Sequence, residues 1–429
     1  MPTLSPLANR SPAHPGHPWT DELMQAFGSP PSDEGAPWLL TAQAAARQAL
    51  QSAGLPKRHE EAWRFTDPAL LTQIPPRPID PGALGFPDPS HPPGPPWRLS
   101  LEALLQDPEA SWPEGLEVLK GDQLNGQLGQ ALSATQAGLQ WSVHLNGALA
   151  QRVVAFRIPP GVKTSIELVS DTAERAGVLP IRLMVVVGEG AGLELIQVHR
   201  ASGPSLTSVV VEALLERTAT LKHSFVANGA ATSALLAVTA VIQAPGSHYA
   251  HSSVCTGWGL ARQEPAIVQR EGQATTQLRG LHWVRERQLA DTHSRVRFGG
   301  PEGTLDQVHK VVAEGHGRSV FNGCIQVPRQ AQRTNASQLS RSLLLSEQAR
   351  IDTKPELEIV ADDVRCTHGA TISRLQDDEL FYLQSRGIGA AQASTLLLRS
   401  FCEEVMAELS EPARVWNPLS PLLEEGAAP

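Results

Sequence analysis

The sequence predicts a mainly β protein whose core of many short strands is flanked by N-terminal and C-terminal α-helical regions. Two observations carry this. From about Gln151 to Arg374, short β-branched runs recur (VVAFRI, IRLMVVV, LELIQVH, SALLAVTAVI, LEIVADDV), separated at short intervals by Gly, Pro, Asn, Asp or Ser. On either side the periodicity turns helical, in Trp38–Ala53 before the core and in Ala391–Leu409 after it. A sandwich, a barrel and a parallel β-helix all fit strands of this length, and no clean repeat period separates them.

The 429 residues suggest two or three domains with ample material for a core. Apolar residues make up 41% and the formal charge is −9, with a pI near 5.9. No basic stripe exists, so a nucleic acid partner is not expected. No run of 18 apolar residues exists, so no membrane partner is expected either. The four cysteines (Cys255, Cys324, Cys366, Cys402) are widely spaced and form no CxxC pair. That points away from a disulfide framework and towards reduced thiols in a cytoplasmic protein. The N-terminus has no apolar core of a secretory signal.

Four segments are expected. Residues 1–97 hold a flexible N-terminus, a helical region and a Pro-rich linker. A short helix is placed around Asp21–Phe27 and a longer one over Trp38–Ala53, stopped by Gly54 and Pro56. In EEAWRFTD, Trp63 and Phe65 read as anchors of the N-terminal region on the body. Pro75–Pro96 contains ten prolines, which excludes a helix or an inner strand. Residues 98–150 read as a mixed connecting segment with a helical piece at Leu101–Leu105. Residues 151–374 form the β core. Residues 375–429 are helical: Asp377, Asp378 and Glu379 suit a first turn, Gly387 and Gly389 interrupt, and a second helix aligns Leu397, Phe401 and Val405, with Leu398, Cys402 and Leu409 beside them. That apolar stripe either packs on a neighbouring helix or docks a partner.

The chemistry concentrates in DTKPELEIVADDVRCTHGATISRLQDDELFYLQSRGI (Asp352–Ile388). Read as one strand, it projects Cys366 and His368 from the same face, a soft S/N pair suited to iron or an iron–sulfur cluster. Two ligands do not close a metal site, so the remainder must come from elsewhere. Asp362 and Asp363, just upstream, either orient the imidazole from behind or sit at a turn. Asp291 and His293, with Arg297, His309 and His316, lack a partner of defined metal-ligand spacing and read as structural or surface groups. Cys255 and Cys324 are assigned to the core and Cys402 to helix packing.

ADDVRCTHGAT followed by DDELFYLQSRGI resembles the C-terminal signature of SufD proteins, of the SufB/SufD family in the SUF iron–sulfur cluster assembly machinery. EEAWRFTD, HLNGALA (His144–Ala150), RSVFNG and SRSLLLSEQARIDTKPELEI are similar to further elements of that family. The resemblance implies a right-handed parallel β-helix, whose two ends are exposed strand edges unless the flanking helices cap them. It implies a scaffold subunit rather than an enzyme, paired through its edge with a SufB-like protein and carrying a SufC-like ABC ATPase on its C-terminal helices. Phe381, Tyr382, Leu397, Phe401 and Val405 are then the candidate docking residues. Cys366 and His368 would lie at the SufB interface, near a nascent iron–sulfur cluster. A plant or algal source would place the chain in the plastid stroma.

No Walker A motif, G-x-S-x-G elbow or Rossmann fingerprint occurs, so any ATPase activity belongs to a partner. Whether a flavin binds is not legible from any motif. A free-standing homodimer with a storage or chaperone role is the main alternative, since the same edge pairs with itself. A β-helix enzyme acting on polysaccharide is disfavoured by 5% aromatic content.

Overall fold

The computed structural model describes residues 16–28, 37–79, 96–107, 112–420 and 423. In chain order the strands are β1 (Trp97–Ser100), β2 (Glu117–Val118), β3 (Val154–Ile158), β4 (Lys163–Asp171), β5 (Gly177–Val187), β6 (Gly192–Arg200), β7 (Ser205–Leu215), β8 (Thr220–Asn228) and β9 (Ala234–Gln243). They continue with β10 (His248–Thr256), β11 (Leu260–Gln269), β12 (Thr275–Val284), β13 (Leu289–Phe298), β14 (Thr304–Ala313), β15 (Arg318–Val327), β16 (Asn335–Leu344), β17 (Arg350–Ile359) and β18 (Arg365–Ser373).

Alternate strands belong to different sheets. One runs β1-β4-β6-β8-β10-β12-β14-β16-β18, the other β17-β15-β13-β11-β9-β7-β5-β3-β2. Neighbours pair in parallel, except β2 with β3. The chain therefore winds as a parallel β-solenoid, each coil contributing one strand to each sheet. Side chains alternate between the lumen and the outer faces. The lumen holds the main core, from Phe156 and Leu183 through Phe225 and Tyr249 to Phe298 and Ile325.

Both outer faces are covered. On the β3–β17 sheet lie α1 (Pro18–Phe27), α2 (Pro37–Ala53) and, after α3 (Leu101–Gln106), α4 (Gly121–Asn125) and α5 (Gln130–Ala134), the helix α6 (Trp141–Leu149). Trp19, Leu23, Leu50, Trp63, Trp141 and Leu145 pack there on Val178, Leu206, Leu236 and Leu260. The helix α1 starts at Pro18, earlier than the expected Asp21. It is docked, since Trp19 Nε1 donates to the Ile74 carbonyl at 2.8 Å. Asn146 is buried on α6 and donates to the carbonyls of Ile181 and Ser208 at 3.0 and 2.9 Å. The expected flexible residues 1–15 and most of the Pro-rich linker (80–95) lie outside the described residues.

After β18 come α7 (Asp377–Ser385), α8 (Ala390–Met406) and α9 (Glu411–Arg414). The expectation that both flanks cap the solenoid ends holds only at the start, where Leu101 and Leu104 of α3 enter the lumenal core. Among the described residues, none caps the last coil. The helix α8 instead lies on the outer face of the β4–β18 sheet, because Leu398, Cys402 and Val405 meet Leu281, Trp283, Val312 and Leu343 there. No residue of β17 or β18 is fully buried.

Candidate functional site

The motif-bearing segment is not one strand. It splits into β17 and β18, which belong to opposite sheets and are joined across residues 360–364. Ala361 tucks its methyl into the lumenal core, while Asp362 and Asp363 turn outward to solvent. A small apolar residue followed by two acids makes the corner. The two aspartates thus sit on a turn: Asp363 accepts from the Arg333 amide at 2.6 Å through its carbonyl, and its own amide donates to Gln332 Oε1. Neither makes a hydrogen bond to His368 among the described residues.

Cys366 and His368 do share a face, as their spacing requires. Both stand on β18, the last strand of its sheet, where Cys366 pairs with Ala336 and His368 with Gln338 of β16. Cys366 is half-buried against the lumenal core, so this face looks into the solenoid at its open mouth. His368 is exposed. Burial pushes the Cys366 thiol up from its ordinary value, only partly countered by the Ala336 amide, so it is a thiol at neutral pH. Among the described residues no strand pairs with β18 on its far side, so that edge is a template for another strand.

Among the described residues, no three His, Cys, Asp or Glu side chains converge as a metal site. The Asp291 and His293 group separates into different surroundings. His316 is exposed on a turn and Arg297 on the outer face. His309 lies in the lumen, where its Nε2 and that of His282 both reach Thr292 Oγ1 at 3.2 and 3.1 Å.

Asp291, read from the sequence as a structural or surface group, is the centre of a buried polar network. Its carboxylate is fully buried on the outer face under the N-terminal layer. It pairs with Arg262, with Thr66 Oγ1 at 2.5 Å and with His293 Nε2 at 2.9 Å. Arg262 also holds Glu264 at 2.8 Å and the Ala62 carbonyl at 3.0 Å, with its guanidinium 4.3 Å from the Trp63 ring centroid. Ser142 of α6 donates to Glu264. Burial would raise the Asp291 carboxyl, but Arg262 and His293 overcome it and hold the group well below the usual range. EEAWRFTD is thus a clamp, with Trp63, Thr66 and the Ala62 carbonyl closing on Arg262 and Asp291. Phe65 stands 5.9 Å from the Arg318 guanidinium. The signal available in the sequence was Arg262-x-Glu264 and Asp291, 29 positions apart, which are ladder partners only once the coil length is known.

Cys324 is buried, as expected, but on the outer face rather than in the lumen, where it lines a groove of about 590 Å³ with His293, Lys354, Glu356 and Glu358. Its Sγ lies 3.6 Å from Glu358 Oε1, and burial together with that carboxylate pushes the thiol up to about 12.

The docking residues also divide. Val405 is buried against the chain's own sheet. Phe401 is half-buried, its carbonyl taking the Lys310 ammonium at 2.7 Å and its ring lying 4.5 Å from it. Leu397 is half-buried. Phe381 and Tyr382 are 72% and 57% exposed on α7, which buries no residue.

Residues 169–401 match the family described as SUF system FeS cluster assembly, SufBD core domain. The chloroplastic protein ABCI7 of Arabidopsis thaliana is 35% identical over 299 residues, 66% of this chain and 62% of that protein. A SufBD family iron–sulfur cluster assembly protein of Synechocystis is 37% identical over 238 residues, 53% and 52% respectively. The chain thus spans less than two thirds of the length of these two relatives. The iron–sulfur cluster assembly protein SufD of Escherichia coli is 28% identical over 404 residues, covering 86% of this chain and 87% of that protein.

Proposed function

Since the chain belongs to the SufBD family of the SUF iron–sulfur cluster assembly system, we propose that it is the SufD-like scaffold of a complex with a SufB-like protein and a SufC-like ABC ATPase. The observation that carries this reading is the open last coil. Among the described residues it leaves β18 unpaired on one side and sets Cys366 and His368 at the mouth of the lumen. A partner strand added to that edge satisfies its backbone groups and brings further ligands against the S/N pair.

In this reading the cluster is cargo, assembled transiently at the interface. His368 is exposed and able to act as a ligand or to carry a proton, and the Cys366 thiol becomes a thiolate ligand as metal binding releases its proton to solvent. The chain itself performs no ATP chemistry. The exposed Phe381 and Tyr382 on α7 are the anchors offered to the ATPase, whose movement would reach β18 through the short link to α7. No helix among the described residues is long and apolar enough to cross a membrane. We assign the chain to the cytoplasm, or to the plastid stroma in a plant or alga.

The test is capture of the tagged chain from its own lysate under anaerobic conditions, with identification of the co-purifying proteins. Recovery of a SufB-like protein and an ABC ATPase is expected. His368→Ala and Cys366→Ala should then lower cluster yield in the reconstituted complex while leaving assembly of the subunits intact. Recovery of the chain as a homodimer alone, repeated at low salt, would overturn the complex as its resting state.

A further inference from the structure

The lumen directly behind His368 contains an amide chain that the proposed function does not explain. Gln338 precedes His368 in the β16–β18 ladder, on the same inward face. It is almost wholly buried, and its Nε2 donates to Gln307 Oε1 at 2.9 Å. Gln307, one coil further in, donates to Ser294 Oγ of the opposite sheet at 2.8 Å. Space for the Gln338 amide comes from Gly323 across the lumen, where a Cβ would lie 2.3 Å from Nε2. The amide is therefore held at both flanks. Its remaining atom, Oε1, is buried without a hydrogen-bond partner among the described residues.

A buried carbonyl oxygen without a donor is destabilising, and native structures rarely leave one so. In-register neighbours on parallel strands stand about 4.8 Å apart, within reach of an imidazole turned inward from the next rung. A histidine that serves a metal through one ring nitrogen commonly donates the other N–H to a carbonyl, which fixes the tautomer and the ring plane.

We propose that Gln338 is a positioning residue for His368: its Oε1 accepts one imidazole N–H, so that the other nitrogen presents its lone pair at the mouth of the solenoid. The chain Ser294–Gln307–Gln338 sets the direction of that acceptor, and Gly323 admits it. Gln338 touches no cargo itself and acts through the ring. This rests on the reading of His368 as a cluster-site residue, but the ring geometry is measurable without it.

The experiment is nitrogen-15 NMR of the full-length chain with labelled histidine, at a pH where the imidazoles are neutral, with His368 assigned by its loss in His368→Ala. The wild type should show a single tautomer for His368. Gln338→Leu should show both tautomers, and Gln338→Glu, which keeps an acceptor, should restore one. Gly323→Ala, which displaces the amide without altering it, should behave as Gln338→Leu; thermal melting of each variant identifies any that fails to fold. An unchanged tautomer ratio in a folded Gln338→Leu protein overturns the proposal. In the reconstituted complex, Gln338→Leu should lower cluster yield about 10-fold or more, with recovery in Gln338→Glu. A changed tautomer with unchanged yield would uphold the positioning and count against the role given to His368.

Discussion

Thr66 donates its hydroxyl at 2.5 Å to the carboxylate of Asp291, 225 residues away, beneath the helical layer that covers the β3–β17 sheet. The same carboxylate neutralises Arg262, whose guanidinium faces Trp63. Removing one partner from a buried ion group leaves an uncompensated charge. Asp291→Ala should therefore lower stability by about 3–5 kcal/mol. Thr66→Val, which removes one donor to a charged acceptor, should cost about 2 kcal/mol. Denaturant unfolding of the two variants checks both the order and the size.

Acid should unfold the protein through its lumen. Burial lowers His199 to about 3 and His251 and His282 to about 4, from an ordinary value of 6.5. Below pH 6.5 the unfolded chain takes up protons that the folded chain refuses, so stability falls as the pH drops from 6.5 towards 4. Asp291, held low when folded, adds its own loss below the unfolded carboxylate range. Replacing His282 by Gln should flatten the loss between pH 6.5 and 4, read from unfolding midpoints across that range. An unchanged slope would contradict the buried neutral histidine.

The C-terminal helices should separate into a packing part and a docking part. Leu398→Ala and Val405→Ala remove buried groups under α8 and should destabilise the chain by roughly 2–5 kcal/mol. Phe381→Ala and Tyr382→Ala, on exposed surface, should alter stability by no more than about 0.5 kcal/mol. They should nevertheless weaken retention of the ABC ATPase in the captured complex. Equal retention by the double variant would remove α7 from the docking surface.

The sequence showed the strands better than their arrangement. Beneath the helical layers, β9 and β11 bury every residue on both faces, so they read as continuous apolar or mixed runs rather than alternating ones. The repeat was hidden by unequal coils: Thr220 pairs with His248, 28 positions on, whereas Thr304 pairs with Asn335, 31 positions on. Several corners also lack glycine, since Thr218, Glu286 and Arg333 take positive φ. At the site, the i, i+2 relation of Cys366 and His368 was legible because it depends only on strand geometry. The corner at Ala361–Asp363 was legible only as one of two readings of Asp362 and Asp363, because flanking β-branched residues mask it. The outward turn of Cys324 and the burial of Val405 depend on which face each sheet presents, which periodicity leaves open.

The central claim is that the open edge at β18 receives the partner. Amide hydrogen exchange of the chain alone and in the captured complex tests it most directly. The account predicts slowed exchange across Arg365–Ser373 in the complex, beyond any change at α7. Unchanged exchange along β18, with protection confined to the C-terminal helices, would contradict it.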